Sequence, residues 1–176
     1  MKKRNIPFTK ENGVIKYDHN HEVIRELLNS TSDLNEGIGL RLAGEEFGAT
    51  TLRARRTGLC DLEALRYAID CNGGAKKGNK IFLTKVDVAS GMENFSLVEG
   101  YSLDGKRARF STDSEALRKV KTQKRTFAGY PDISEATSFE ELPRGLIEAM
   151  NYTKKITGAT IIGIGTGCDR DAYLMR

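Results

Sequence analysis

The sequence predicts an α/β fold, on three observations. Two short apolar runs, residues 80–88 and 159–164, have the length and β-branched content of buried strands, and each runs into a polar or glycine-bearing loop. Residues 61–71 and 144–156 place apolar side chains at three- and four-residue spacing, the pattern of helices that cover a sheet. Helix and strand patterns therefore alternate along the chain, as in a sheet packed under helices.

Taken in order, residues 1–20 are polar and read as irregular, with Asn12-Gly13 as a turn signal. His21 to Leu28 reads as a short amphipathic helix with Val23, Ile24, Leu27 and Leu28 on its apolar stripe, followed by a loop over 29–33. Leu34 to Glu46 is a second helix that delivers the chain to a glycine-bounded basic loop. Asp61 is the expected N-cap of the helix that follows, and Asn72 to Asn79 is a long turn. The run 80–88 is expected to be a buried strand carrying Thr84, Lys85 and Asp87 at its carboxyl end. Phe95–Leu103 and Arg107–Phe110 flank Asp104-Gly105, a strong two-residue hairpin signal. Residues 111–125 are charged and ambiguous. Ala128 to Asp132 reads as turn, Arg144 to Ile156 as a helix closed by Thr157-Gly158, and Ala159 to Ile164 as a buried strand ending in Gly165-Thr166-Gly167.

Composition bounds the function. The chain has 176 residues, 39% hydrophobic and 30% charged, which suits a soluble globular protein with a core and no marked internal boundary. No apolar run approaches the roughly 20 residues that cross a bilayer, and no apolar segment follows the basic Met1-Lys2-Lys3-Arg4, so neither membrane nor secretion is expected. Cys60, Cys71 and Cys168 lack metal-ligand spacing and point to a reduced, cytoplasmic protein. His19 and His21 have no cluster of further ligands around them, so no metal site is assigned. A net charge of +4, held in local clusters, suits small anions better than a nucleic-acid track.

Two constellations carry chemistry. In Gly48-Ala49-Thr50-Thr51-Leu52-Arg53-Ala54-Arg55-Arg56-Thr57-Gly58, three arginines fall within four positions behind two threonines. Guanidinium forks match carboxylate and phosphate oxygens in pairs, so this is either an anion-binding loop at a helix N-terminus or a solvated basic connector. In Thr84-Lys85-Val86-Asp87 an extended backbone would put Lys85 and Asp87 on one side. The Asp87 carboxylate could then accept from both N1–H and the 2-amino group of a guanine, a donor pair that adenine lacks. Gly165-Thr166-Gly167 would let backbone approach a planar ligand closely.

These blocks, in this order, resemble the C-terminal part of adenylosuccinate synthetase over about residues 44–174. The matching pieces are the arginine loop with its following Asp61 and Leu65-Arg66-Tyr67-Ala68, then Leu83-Thr84-Lys85-Val86-Asp87-Val88, and last Ile164-Gly165-Thr166-Gly167-Cys168-Asp169-Arg170. The resemblance implies the later strands of a central mostly parallel or mixed sheet with covering helices, with residues 1–43 as a lead and 44–176 as the family-like region. It implies a ligase of purine-nucleotide (AMP) biosynthesis that joins aspartate to inosine monophosphate with GTP, with Mg²⁺ whose ligands are not in this chain. Aspartate and IMP would be held by Ala49, Thr50, Thr51, Leu52, Arg53, Ala54 and Arg55. GTP would be held by Arg55, Lys85, Val86, Asp87, Gly165, Thr166 and Gly167.

Leu52 stands where the family usually has glycine, Gly165 where it usually has serine and Cys168 where it usually has proline. The family's glycine-rich phosphate loop, catalytic aspartate and catalytic histidine have no counterpart in residues 1–46. No general acid or base is therefore assigned, and the chain alone is not expected to make adenylosuccinate. The resemblance further implies a homodimer and a possible partner polypeptide carrying the N-terminal half. A non-catalytic guanine-nucleotide-binding module is the alternative.

Overall fold

The computed structural model describes residues 6, 8–11, 14–18 and 21–176. It bears out the α/β class, with mixed sheets and helices around one core that runs from Ile24 to Leu174. Strands β1 (Phe8–Glu11) and β2 (Val14–Tyr17) pair antiparallel where the sequence reads as irregular. The β-branched and aromatic content of Val14-Ile15-Lys16-Tyr17 supports a strand once a partner lies alongside. The predicted Asn12-Gly13 turn and His19 lie outside the described residues.

Helix α1 (Glu22–Leu28) is capped by His21, whose Nδ1 accepts from Val23 N at 3.2 Å. It packs Ile24, Leu27 and Leu28 into the core beside α2 (Asp33–Ala43). The basic loop leads into β3 (Cys60–Asp61) and α3 (Leu62–Cys71). Asp61 caps α3 as expected, accepting from the amides of Glu63 and Ala64 at 3.0 Å.

Strand β4 (Lys80–Leu83) corrects the expectation for 80–88 in two ways. It is half exposed rather than buried, and it stops at Leu83. Lys85 then takes the left-handed conformation at φ 55°, and Val86–Ala89 coil into a 3₁₀ turn. Lys85 and Asp87 therefore do not lie side by side on an extended segment. Strand β5 (Asn94–Leu103) turns at Asp104-Gly105, both with positive φ as a tight hairpin requires, into β6 (Lys106–Ala108). The ambiguous charged stretch resolves into α4 (Ser114–Lys119) and β7 (Lys121–Ala128).

Helix α5 (Arg144–Thr157) ends at Gly158, as the sequence predicts, and buries Leu146, Ala149, Met150, Thr153 and Thr157 along one stripe. The two threonine hydroxyls are satisfied by backbone carbonyls one turn earlier. Strands β8 (Thr160–Gly165) and β9 (Tyr173–Met175) complete the fold. Apart from the β1–β2 pair there are two sheets among the described residues. In one, β5 pairs parallel with β3 and antiparallel with β6 and β7; in the other, β8 pairs parallel with β4 and antiparallel with β9. Helix α5 packs on both sheets, touching β7 of the first and β8 of the second.

Candidate functional site

The arginine loop is a small closed hairpin rather than an open connector. Phe47 and Ala54 form an isolated antiparallel bridge, Gly48 N donates to Arg53 O at 2.9 Å, and Arg55 N donates to Glu46 O at 2.9 Å. Its base is fixed to the core side: the Phe47 ring stacks on Tyr17 at 6.0 Å, Arg41 Nε donates to Arg55 O, and Thr57 Oγ1 donates to Gly37 O. The tip, Ala49 to Leu52, stands exposed, as does Arg53.

Leu52 sits at φ 52°, the left-handed region that a Cβ disfavours, with its side chain half exposed. Replacing it by glycine relieves about 1–2 kcal/mol of strain and returns about 0.5–1 kcal/mol as unfolded-state entropy. Leu52→Gly should therefore leave stability unchanged or raise it by up to about 1.5 kcal/mol, which thermal melting measures; a loss would mean that the side chain packs more than its exposure indicates.

The base of this loop meets the predicted guanine turn. Lys85 Nζ donates to Glu46 Oε1 at 2.6 Å and to Gly44 O at 2.7 Å, and Arg55 Nη1 donates to Glu46 Oε2 at 2.8 Å. One carboxylate thus holds Arg55 and Lys85 together. The Lys85 ammonium, with Arg55 adding to it, holds the Glu46 carboxyl below its ordinary value of 4.5 against the opposing effect of burial. A depressed carboxylate contributes order that is fully present above its ordinary pKa and is lost as pH falls through the depressed value. Protection of the amides of residues 44–55, taken against their intrinsic exchange rates at each pH, should accordingly hold at neutral pH and fall only below about pH 4.5. Protection lost at higher pH would detach Glu46 from the loop's order.

On the other side of Lys85, the glycine turn comes close. A Cβ on Gly165 would lie 3.3 Å from Lys85 N and 3.7 Å from Thr84 Cα, so the bare glycine lets the ends of β4 and β8 approach. Thr166 is buried, its amide donating to Ala172 O at 2.9 Å. The 3₁₀ turn is steadied from outside by Tyr130, whose hydroxyl donates to Val86 O at 2.7 Å. Burial, and after it the Asp87 charge, pushes the Tyr130 phenol far above its ordinary range, so it stays a donor at all working pH. Asp87 Oδ1 is buried.

One expectation fails at the helix that follows the arginine loop. The N-terminus of α3 offers no open pocket for a dianion, because Asp61 Oδ1 already takes the amides of Glu63 and Ala64. Tyr101 donates its hydroxyl to the other Asp61 oxygen and fixes the carboxylate in place. The donors that an anion could meet in this region are therefore the arginine side chains.

A cavity of about 650 Å³ opens beside the site. It takes in Arg55, Lys85 and Val86, but not Ala49 to Ala54, Asp87 or Gly165 to Gly167. The predicted residues thus fall into two groups: Arg55, Lys85 and the Gly165 turn come together, while Thr50, Thr51, Leu52 and Arg53 sit on the exposed tip. Sequence reasoning missed Glu46 and Tyr130. The signal for Glu46 was a pair of adjacent carboxylates, Glu45-Glu46, just ahead of a cluster of arginines. Tyr130 had no signal in its own stretch.

The sequence model of the adenylosuccinate synthetase family matches residues 22–174, from α1 onward. The chain is similar to adenylosuccinate synthetase of Mycosarcoma maydis, 36% identical over 82% of this chain and 33% of the relative. The corresponding enzyme of Paramecium tetraurelia is 38% identical over 86% of this chain and 33% of its own length; that of Pelobacter propionicus is 38% identical over 80% and 32%. Among solved structures, a fully ligated adenylosuccinate synthetase from Plasmodium falciparum superimposes with a TM-score of 0.74 at 29% identity, over 84% of this chain and 35% of that one. The chain spans about a third of the length of these relatives.

Proposed function

Because the chain belongs to the adenylosuccinate synthetase family, we propose that it supplies the aspartate-, IMP- and GTP-binding share of a purine-nucleotide ligase. In this reaction the γ-phosphoryl group passes from GTP to the 6-oxygen of IMP, with GDP leaving. The aspartate amine then forms the bond to C6 as the C6–O bond breaks, and phosphate departs.

What supports the reading is the meeting of three distant motifs. Arg55 and Lys85 share the Glu46 carboxylate, and the Gly165 turn packs against Lys85. Ala49 to Ala54, with Thr50 and Thr51 as hydroxyl donors, would present Arg53 to the carboxylates of aspartate. Arg55 would face both aspartate and the GTP phosphates. Lys85, Val86 and Asp87, with Gly165, Thr166 and Gly167, would take guanine once Lys85 turns from Glu46 to its ligand. A lead of residues 1–43 and a ligand-facing region of 44–176, a homodimer, a cytoplasmic setting and a partner polypeptide supplying the rest of the family's length belong to the same proposal. Among the described residues no helix is long and apolar enough to cross a membrane.

Among the described residues no three His, Cys, Asp or Glu side chains gather as metal ligands. The Mg²⁺ ligands and the proton-transfer groups would belong to the part of the synthetase that this chain does not match.

The test is titration calorimetry of aspartate, or its analogue succinate, on the chain joined to the missing part of a relative. Arg53→Lys should lose most of the binding that Arg53→Ala loses, since a lysine cannot reproduce a two-bond fork; the loss should be about 1.5–3 kcal/mol. A silent Arg53→Lys beside a damaging Arg56→Ala would shift the assignment along the loop.

A further inference from the structure

The turn that carries Lys85 and Asp87 is not held by its own backbone alone. Lys85 opens it in the left-handed conformation, φ 55° and ψ 38°, which a Cβ disfavours, and Val86–Ala89 follow as a single 3₁₀ turn. Short 3₁₀ pieces have poor hydrogen-bond geometry of their own, so contacts from elsewhere decide where such a turn rests. They reach it from both sides. On one, the Lys85 ammonium holds Gly44 O and Glu46; on the other, the Tyr130 hydroxyl donates to Val86 O at 2.7 Å.

Tyr130 is itself firmly seated. It is 4% exposed, its ring stands edge-on to Phe95 with centroids 5.3 Å apart, and its carbonyl accepts from Gly91 N at 2.8 Å. Phe95 belongs to β5, so the hydroxyl is fixed to the first sheet, while the turn it grips follows β4 of the second. The Val86 oxygen shares one planar peptide unit with the Asp87 amide, and that plane ends at the Asp87 Cα. Fixing Val86 O therefore fixes the point from which the Asp87 carboxylate projects. The two anchors differ in what a ligand does to them. Under the proposed function Lys85 leaves Glu46 for its ligand, whereas the bond from Tyr130 ends on a carbonyl and outlasts binding.

We propose that Tyr130 is a positioning residue for base selection: through Val86 O its hydroxyl aims the Asp87 carboxylate so that it takes the 2-amino group of guanine together with N1–H. The inference rests on the guanine reading of Lys85 and Asp87 above. A carboxylate accepts from two neighbouring donors only when both of its oxygens are in line with them, and a tilt that spares one bond breaks the other. The second bond thus depends on where the peptide plane is held. Inosine triphosphate, which has N1–H and no 2-amino group, lacks that bond alone.

The experiment compares the full chain with Tyr130→Phe, which retains the ring against Phe95 and removes only the hydroxyl. GTP and inosine triphosphate are titrated separately, and binding is read from NMR shifts at residues 85–89. The two nucleotides share their phosphates, ribose and N1–H, so a loss of folded protein or of phosphate contacts cancels in the ratio of their affinities. The parent should prefer GTP at least about tenfold, and Tyr130→Phe should lower that preference about fivefold or more. Amide exchange at Val88 and Ser90, which donate to Lys85 O and Asp87 O, should quicken in the variant while exchange along β8 does not change. Tyr152→Phe removes a hydroxyl that is bonded to Glu99, outside the turn, and should match the parent in both measurements. The proposal is overturned, with the guanine reading left standing, by an unchanged ratio in Tyr130→Phe, by a lowered ratio without quicker exchange at Val88 and Ser90, or by an equal fall in Tyr152→Phe. A parent chain that does not distinguish the two nucleotides removes the guanine reading and this proposal with it.

Discussion

Gly129→Ala should fail to give a folded protein, or lose at least about 4 kcal/mol of stability. A Cβ at this position would lie 1.7 Å from Met92 O and 2.6 Å from Met92 C, inside the backbone that precedes β5. Gly129 N donates to Glu93 O at 2.8 Å, and Gly91 N donates to Tyr130 O at the same distance, so two backbone segments are locked across the glycine. Neither can retreat without breaking the other's hydrogen bond. The damage should also reach the site, because the next residue, Tyr130, steadies the Val86 turn. Gly58→Ala is the control: nothing lies within 4 Å of a Cβ there, so it should be neutral or stabilising by up to about 1 kcal/mol. Urea denaturation of both variants checks the contrast, and near-equal midpoints would show that the segments at 92 and 129 can part at little cost.

Arg66→Ala should cost about 3 kcal/mol, a fall of about 6–12 °C in melting temperature for a chain of this size. Glu63 is 2% exposed and receives both oxygens' hydrogen bonds from Arg66 Nη2. Once Arg66 is removed, the nearest cation is Arg109, 3.6 Å away and itself largely exposed. A buried carboxylate deprived of its main partner keeps the desolvation penalty without the compensating bonds. Replacing both residues together, Glu63→Met with Arg66→Met, should recover most of the loss, since an apolar pair of similar volume carries no such penalty. If the double variant melts no higher than Arg66→Ala, packing of the arginine stem rather than charge holds α3 in place.

The sequence was most legible where chemistry acts over a few residues. Asp61 as a cap, Asp104-Gly105 as a hairpin and Gly158 as a helix end each need only their neighbours, and each forms as expected. Strand β7 was not legible, because Lys-Thr-Gln-Lys-Arg-Thr carries no apolar alternation. It becomes a strand by pairing with β5 along nearly its whole length. The break at Lys85 was hidden for a different reason: an apolar run shows burial but not the one residue that must turn left-handed. At the site, residue types pointed to Arg55, Lys85 and Gly165, but the meeting of Arg55 with Lys85 depends on Glu46, 39 residues from Lys85, and that of Gly165 with Lys85 on the pairing of β4 with β8. Contacts at that separation leave no trace in a local pattern.

The shared Glu46 carboxylate has a consequence for how ligands sense one another. Arg55 and Lys85 each hold one of its oxygens, so an anion that draws Arg55 away leaves Glu46 attached to Lys85 alone. A ligand that recruits Lys85 has the mirror effect on Arg55. Under the proposed function, occupancy of one subsite would then reset the affinity of the other, and equilibrium linkage requires the factor to be equal in both directions. Cooperativity between the arginine-loop ligand and the guanine ligand would thus pass through a single side chain, and its sign would follow from whether Glu46 grips its remaining cation more tightly or less.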